Sequence, residues 1–239
     1  VQSISFVKTG VPGVDIILNG GIYPGSAVLI SGPPGSGKSI LGMQYVYAGA
    51  KDYGEGGLVI AIEETDESLN EYAASIGWDD WGELVKKGSI TVMTSDYFSR
   101  LDLAGSLEGI MATVSRTSAK RMVLDSMNLF RYYFPKDIER RQYLLKFIRI
   151  LKKRGITALL VSEVMEVFPR MTLTDEMYMT DGNMSLFIVR SGSNVERCFW
   201  VTKMRRQEFS MKIVPMSIGK GGIEVFQDAV PYALSADVD

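Results

Sequence analysis

The sequence predicts an α/β fold in which a parallel central sheet, flanked by helices, is extended at one edge by a C-terminal antiparallel meander. Three observations carry this. Apolar runs of strand length alternate with helical stretches between positions 27 and 161, which implies parallel strands joined by right-handed crossovers. After Glu163 the pattern changes to short strand-like pieces parted by Gly, Ser, Asn and Pro turns, the spacing of a meander at one edge of the same sheet. A glycine-rich turn also follows the first apolar run, at the edge where open parallel sheets place their ligands.

Taken in order, Ser3 to Lys8 alternates weakly and reads as a short strand, and Val14 to Leu18 as a short helix between glycine turns. Ala27 to Ile30 is the first buried strand, and the helix behind the glycine turn runs from Gly37 to Lys51, starting near Ser36. Gly57 to Ile62 is continuously apolar, as a strand buried on both faces should be. Thr65 or Asp66 caps a helix reaching about Ile76. Ser89 to Thr94 is a strand, Leu101 to Ser118 a helix despite Gly105 and Gly109, and Arg121 to Asp125 a short strand ending in a carboxylate. Pro135 precedes a helix over Asp137 to Lys153, which Gly155 stops, and Ile156 to Val161 is the fifth apolar run. Residues 183 to 190, 197 to 205, 210 to 215 and 222 to 226 supply the meander. No linker, repeat or low-complexity segment interrupts the chain, so residues 1–239 read as one domain.

Composition narrows the function classes. At 239 residues with 46% hydrophobic and 23% charged residues, the chain suits one large domain with a substantial core. A net charge of −2 gives no global attraction to nucleic acid or to an anionic membrane. Cys198 stands alone, which rules out an intrachain disulfide and fits a reducing cytosol. The absence of histidine excludes zinc sites, His-based triads and histidine proton shuttles. No stretch approaches the ~18 to 20 apolar residues of a membrane span, and no signal-peptide core is visible, so a cytoplasmic protein without membrane contact is expected.

The glycine turn carries the chemistry. Gly32, Pro33, Pro34, Gly35, Ser36, Gly37, Lys38 and Ser39 fit the phosphate-loop pattern G-x-x-x-x-G-K-[ST] in full, in strand–turn–helix context. Successive backbone N–H groups must curl inward as an anion nest, which a Cβ would obstruct. The start of the following helix, through Ile40, adds its positive end and unpaired first-turn donors. Lys38 offers a mobile charge for the β- and γ-phosphates, and the Ser39 hydroxyl a hard oxygen for Mg²⁺. The alternative is an ordinary glycine turn, which would not need all of these residues in register. A bound nucleoside triphosphate is expected.

Hydrolysis further needs a metal ligand, a group that orients water, and positive charge for the transition state. Asp125 ends a buried strand in the Walker-B manner and suits the Mg²⁺ shell beside Ser39; the bland alternative is a turn cap. Glu63 and Glu64 end the second strand, where alternation lets only one face the phosphate and polarise the attacking water. Ser162 and Glu163, at the fifth strand's end, are a place for a γ-phosphate sensor or a plain turn. Lys203 and Arg205, two apart, share one face of an extended segment. In a ring they could reach a neighbour's nucleotide, and on an edge strand they would merely discourage aggregation.

Beyond these motifs, the order and spacing resemble KaiC-type ATPases of the RecA/RadA superfamily over about Phe6 to Phe226. The residues concerned are Thr9 to Asp15, Gly20 to Gly25, Gly32 to Ser39, Ile62 to Thr65, Ile76 to Trp78, Leu124 to Ser126, Ile138 to Arg141, and Lys203 to Arg205. The resemblance implies a RecA-type P-loop NTPase core, ATP with Mg²⁺, and hexameric rings with nucleotide between subunits. It further implies that the Glu63–Glu64 pair holds the catalytic carboxylate, and that Lys203 and Arg205 contact the γ-phosphate across the interface. One departure is Arg206, where the family usually has glycine. Another is the segment Val164 to Asp181, where Glu166, Asp175, Glu176 and Asp181 oppose only Arg170, which argues against direct DNA pairing. Met165, Met171, Met177, Met179 and Met184 suit either a surface for an unidentified protein partner or core filling. Thr172, Thr174 and Thr180 keep self-phosphorylation open, although no adjacent Ser-Thr pair occurs. The leading expectation is a slow ATPase driving conformational change in a homo-oligomer with a signalling or regulatory role. A non-hydrolysing ATP-dependent interaction switch and a recombinase paralogue acting on DNA are the alternatives.

Overall fold

The computed structural model describes residues 5–98, 103–164 and 174–235. The first half of the chain runs α1 (Val14–Ile17), β1 (Ala27–Gly32), α2 (Lys38–Asp52), β2 (Gly57–Ala61), α3 (Asp66–Ser75), α4 (Trp81–Lys86), β3 (Ile90–Thr94), α5 (Ser95–Phe98) and α6 (Leu103–Arg116). The second half runs β4 (Arg121–Asp125), α7 (Asn128–Tyr133), α8 (Asp137–Arg154), β5 (Thr157–Glu163), α9 (Asp175–Met179), β6 (Gly182–Ser191), β7 (Asn194–Met204), β8 (Val214–Gly219), β9 (Gly222–Val225) and α10 (Tyr232–Ser235). Among the described residues, nine strands join one sheet in the order β3-β2-β4-β5-β1-β6-β7-β8-β9.

Strands β1 to β5 pair only in parallel, β6 pairs parallel to β1, and β6 to β9 pair antiparallel. The meander is therefore grafted onto the phosphate-loop strand itself. The apolar runs are continuous because both sheet faces are covered. Val28, Ile30, Val59, Val123 and Val161 pack on one face with α1, α2 and the tryptophans Trp78 and Trp81. Leu29, Leu58, Ile60, Leu124 and Leu160 pack on the other with Phe130, Phe147 and Leu151 of α7 and α8. Among the described residues no helix is long and apolar enough to cross a membrane.

Local signals read from sequence have visible causes. Thr65 accepts from the Ser68 N–H at 3.1 Å and the Thr65 N–H donates back to Ser68 Oγ at 3.1 Å, so the cap of α3 is Thr65. Gly155 ends α8 in the left-handed conformation. The expected strand at 210–215 lies instead at Val214–Gly219. Residues before it are held by α1 and its glycine turn: the Ser210 N–H donates to Ile17 O, and Gln207 bonds Leu18 O, Gly21 O and the Tyr23 N–H. The sequence pattern predicts no helix at α4, α5, α7, α9 or α10, all of which are six residues or shorter. The expected strand from Ser3 is described only from residue 5, with a single bridge between Val7 and Ile22. Leu101 falls outside the described residues, as do Met165, Glu166, Arg170, Met171 and Thr172.

Candidate nucleotide site

Three glycines of the loop after β1 are needed for different reasons. A Cβ on Gly32 would stand 2.1 Å from the Leu186 carbonyl oxygen of β6, so only glycine lets β1 pass that close to its neighbour. Gly35 has open space around it but a φ of +75°, and Gly37 combines a φ of +102° with a Cβ position 2.9 Å from Ile218 Cδ1. Helix α2 begins at Lys38 rather than Ser36, and Gly37 provides no side-chain cap. Its first-turn N–H groups are thus left for an anionic ligand.

A cavity of about 490 Å³ opens above this loop. Gly35, Gly37, Lys38, Ser39, Ile40, Glu64, Asp125 and Arg197 are among its walls. Gly32, Pro33, Pro34 and Ser36 are not among its walls. Pro33 accepts hydrogen bonds from the Ser36 N–H at 3.3 Å and from Lys38 Nζ at 2.9 Å. Burial holds the Lys38 ammonium below the usual lysine range, against the opposing pull of Glu163 and Asp125. Asp125 is pushed above the usual carboxylate range by burial, while the neighbouring Ser39 hydroxyl and the Lys38 charge act the other way. A lysine and an aspartate both short of compensation, facing one cavity, form a site prepared for added charge of both signs.

Glu63 and Glu64 do not end a strand. β2 stops at Ala61 and both glutamates lie in the turn beyond it, so strand alternation does not govern them. Glu64 lines the cavity and Glu63 is exposed. The Glu64 carbonyl accepts from both the N–H and the hydroxyl of Ser95, at 2.8 Å each, which fixes its backbone. Its carboxylate accepts from Ser68 Oγ at 2.6 Å. Glu163 is near enough for its charge to act on Lys38, and Asn128 reaches its carboxylate at 3.5 Å.

Lys203 and Arg205 lie away from this cavity. Lys203 sits near the end of β7, an interior strand rather than an edge, and Arg205 in the turn past it. Lys203 Nζ donates to the carbonyls of Met177, Tyr178 and Thr180 at 2.8, 3.3 and 2.6 Å, and Arg205 to that of Tyr178 at 3.3 Å. Burial and the Arg205 charge lower the Lys203 pKa. The two do share one side, where they border a second cavity with Met177, Trp200 and Met211. Arg206 adopts a φ of +67°, the left-handed conformation that glycine would take freely. Its guanidinium lies 4.2 Å over the Tyr23 ring and 3.6 Å from Asp181, which holds the turn.

Other expectations change in detail. Asp175, Glu176 and Asp181 pair with Arg141, Arg131 and Lys152, so their charge is neutralised locally rather than displayed against nucleic acid. Met177, Met179 and Met184 are buried and fill the core. Thr180 is fully buried with its hydroxyl bonded to Glu176 O and Asn183 Oδ1, leaving it no access as a phosphate acceptor. Sequence reading missed Arg197, which lines the nucleotide cavity and donates to the Gly35 carbonyl at 3.1 Å. Only its place on a strand paired to β6 could have signalled this, because 162 residues separate the partners.

A family model for the KaiC ATPase matches residues 7–230. The UPF0273 protein PH0284 of Pyrococcus horikoshii is 31% identical over 237 residues, covering 94% of this chain and 95% of that protein. The circadian clock oscillator protein KaiC of Synechococcus elongatus is 27% identical over 234 residues, which span 94% of this chain but 45% of that protein. Among solved structures, the KaiC-like protein PH0186 from Pyrococcus horikoshii superposes with a TM-score of 0.81 at 31% identity, covering 94% of this chain and all of that one.

Proposed function

The chain belongs to the KaiC ATPase family, and from that premise we propose that it binds ATP with Mg²⁺ and hydrolyses it slowly, using turnover to change the conformation of a homo-oligomer. The observation that carries this reading is the convergence of Lys38, Ser39, Asp125 and Glu64, from three separate segments, on one cavity at the C-terminal edge of the parallel strands.

Magnesium fits the residues present. The Ser39 hydroxyl and the Asp125 carboxylate both line the cavity. Among the described residues no group of three or more acidic or cysteine side chains forms a closed metal cage. One carboxylate and one hydroxyl suit an ion that keeps waters and phosphate oxygens as its other ligands. Bound there, it would neutralise charge on the phosphates. Lys38 would exchange the Pro33 carbonyl for phosphate oxygens, and the loop N–H groups would hold the chain of phosphates in line. Glu64 would orient the attacking water and accept its proton once its carboxylate turns from Ser68.

Slow turnover follows from what one chain lacks. Lys203 and Arg205 are occupied away from the chain's own loop, so transition-state charge beyond that of Lys38 and Arg197 would come from a neighbour in a ring, a hexamer in this reading, with residues 1–239 serving as one ATPase domain. The switch reading has one observation in its favour, the Ser68 bond that holds the Glu64 carboxylate. Phosphate release measured for Glu63→Gln and Glu64→Gln decides between them. Glu64→Gln should bind Mg-ATP as wild type does yet release no phosphate, while Glu63→Gln retains turnover. Full turnover in both variants removes the catalytic assignment; no release from wild type, with nucleotide bound, favours the switch. Light-scattering mass with and without Mg-ATP tests the oligomer.

A further inference from the structure

Asp181 is a buried carboxylate for which the triphosphate chemistry has no use. Its side chain is 5% exposed, and it stands immediately before β6. One carboxylate oxygen accepts from the N–H of Ala27, the first residue of β1, at 3.0 Å. The other accepts from Lys152 Nζ, in the last turn of α8, at 2.7 Å. A buried charge is costly unless it is paired and hydrogen-bonded, and here both oxygens are taken. The Asp181 N–H also donates to Ala27 O at 2.8 Å. Main chain and side chain together clamp this residue to the root of the phosphate-loop strand.

What the clamp holds is the basic pair. The Asp181 carbonyl accepts from the Arg205 N–H at 2.8 Å. The carbonyl before it, that of Thr180, takes the shortest of the three bonds from Lys203 Nζ. Burial and the Arg205 charge lower the Lys203 pKa, and the Asp181 charge opposes them. Two consecutive carbonyls, fixed by one side chain, thus set where both cations stand. The side chain has to be a carboxylate. Its two oxygens meet an N–H and an ammonium, both donors, so an amide in its place would turn its own NH₂ against one of them.

We infer that Asp181 is a positioning residue for Lys203 and Arg205, acting on the nucleotide of the neighbouring subunit and not on its own; this rests on the reading above in which the pair serves a neighbour's nucleotide. A shift near 1 Å in charges that act at a reacting centre costs about 100-fold in rate. Loss of the carboxylate should therefore lower kcat and spare nucleotide binding in the same chain.

The experiment measures Mg-ATP affinity and kcat for wild type, Asp181→Asn, Lys152→Met and the double variant Lys203→Met/Arg205→Met. Asp181→Asn should bind Mg-ATP within about twofold of wild type and lose about 10- to 100-fold in kcat. Lys152→Met, which removes one partner and leaves Ala27 paired, should lose kcat in the same direction by a smaller factor, and it carries the test if Asp181→Asn does not fold. Co-expression with Lys38→Met separates positioning from a merely structural role. A Lys38→Met subunit has no nucleotide but a sound basic pair, so it should rescue an Asp181→Asn neighbour. With random mixing about a quarter of the wild-type turnover should return, because a quarter of the contacts join a loaded site to a sound pair. Turnover no greater than that of the two variants apart overturns the inference, as does an Mg-ATP affinity that falls as far as kcat. If Lys203→Met/Arg205→Met turns over as wild type does, the reading of the pair falls and this inference with it; if that variant is inactive while Asp181→Asn is unimpaired, only the positioning role falls.

Discussion

Gly42 sits in α2, and a Cβ built on it would stand 2.4 Å from Val123 Cγ2 of β4. Ordinary carbon–carbon contact is about 3.5–4.0 Å, so Gly42→Ala forces either α2 or Val123 to give by more than 1 Å. Two effects compete. Alanine for glycine inside a helix gains about 1 kcal/mol from propensity, and overpacking a tight interior costs about 1–3 kcal/mol. Val123 is 1% exposed and has nowhere to turn, and Gly49, seven residues on, meets Arg121 Cδ just as closely, at 2.2 Å. Overpacking should therefore win, with a net loss of about 0–2 kcal/mol in urea unfolding. The sharper effect is on ligand binding. Ser39 belongs to α2 and Asp125 to β4, so a helix pushed outward parts the two groups that would hold the metal. Mg-ATP affinity should fall by about tenfold or more, since misplacements near 1 Å are costly. Val123→Ala makes room: the double variant should recover affinity and be less destabilised than the sum of the singles by about 1 kcal/mol. Additive losses, or a Gly42→Ala protein that is stabilised with unchanged affinity, would refute the close-approach argument.

Two further outcomes are expected. Lys38 has a lowered pKa, so its contribution to stability is present only at pH above the usual lysine value and is lost as pH falls through the lowered one. Asp125 has a raised pKa, so its contribution is present in acid and is lost as pH rises from the usual carboxylate value through the raised one. Both groups therefore work against the ligand-free fold at neutral pH; Lys38→Met and Asp125→Asn should melt higher than wild type without ligand, while losing nucleotide binding and Mg²⁺ dependence respectively. Arg121, at the opposite end of β4 from Asp125, is 1% exposed, pairs with Glu55 at 2.6 Å and bonds the carbonyls of Lys8 and Tyr45. Arg121→Met leaves those buried carbonyls unpaired and should cost about 2–4 kcal/mol in urea unfolding, with Mg-ATP affinity at low denaturant unchanged.

The alternating core and the phosphate loop were legible because they are local. Strand length, a fully apolar run and a fixed spacing of glycines, lysine and serine each sit within one segment, and the RecA-type fold with its terminal meander follows from them. Positions set by distant partners were not legible. The expected strand at 210–215 begins only at Val214, because Gln207 and Ser210 tie the preceding residues to α1 and the turn after it. Strand alternation does not decide between Glu63 and Glu64, because the strand ends at Ala61 and a turn sets which carboxylate meets the cavity. Arg197 carries no motif at all, and its role at Gly35 exists only because β7 lies two strands from β1.

That placement has a mechanical meaning. A single strand, β6, joins the phosphate-loop strand to the one bearing Lys203, with Ser31 and Ser185 bonded at 3.1 Å on one side and Asn183 opposite Lys203 on the other. Neighbouring strands are about 4.8 Å apart, so roughly 10 Å of sheet separates the two, with a shift of register between Asn183 and Met184 on the way. Any displacement of β1 by a bound phosphate would have to reach β7 through β6, the one strand between them. If rings form as proposed, each subunit would carry its own news to the next across two strands.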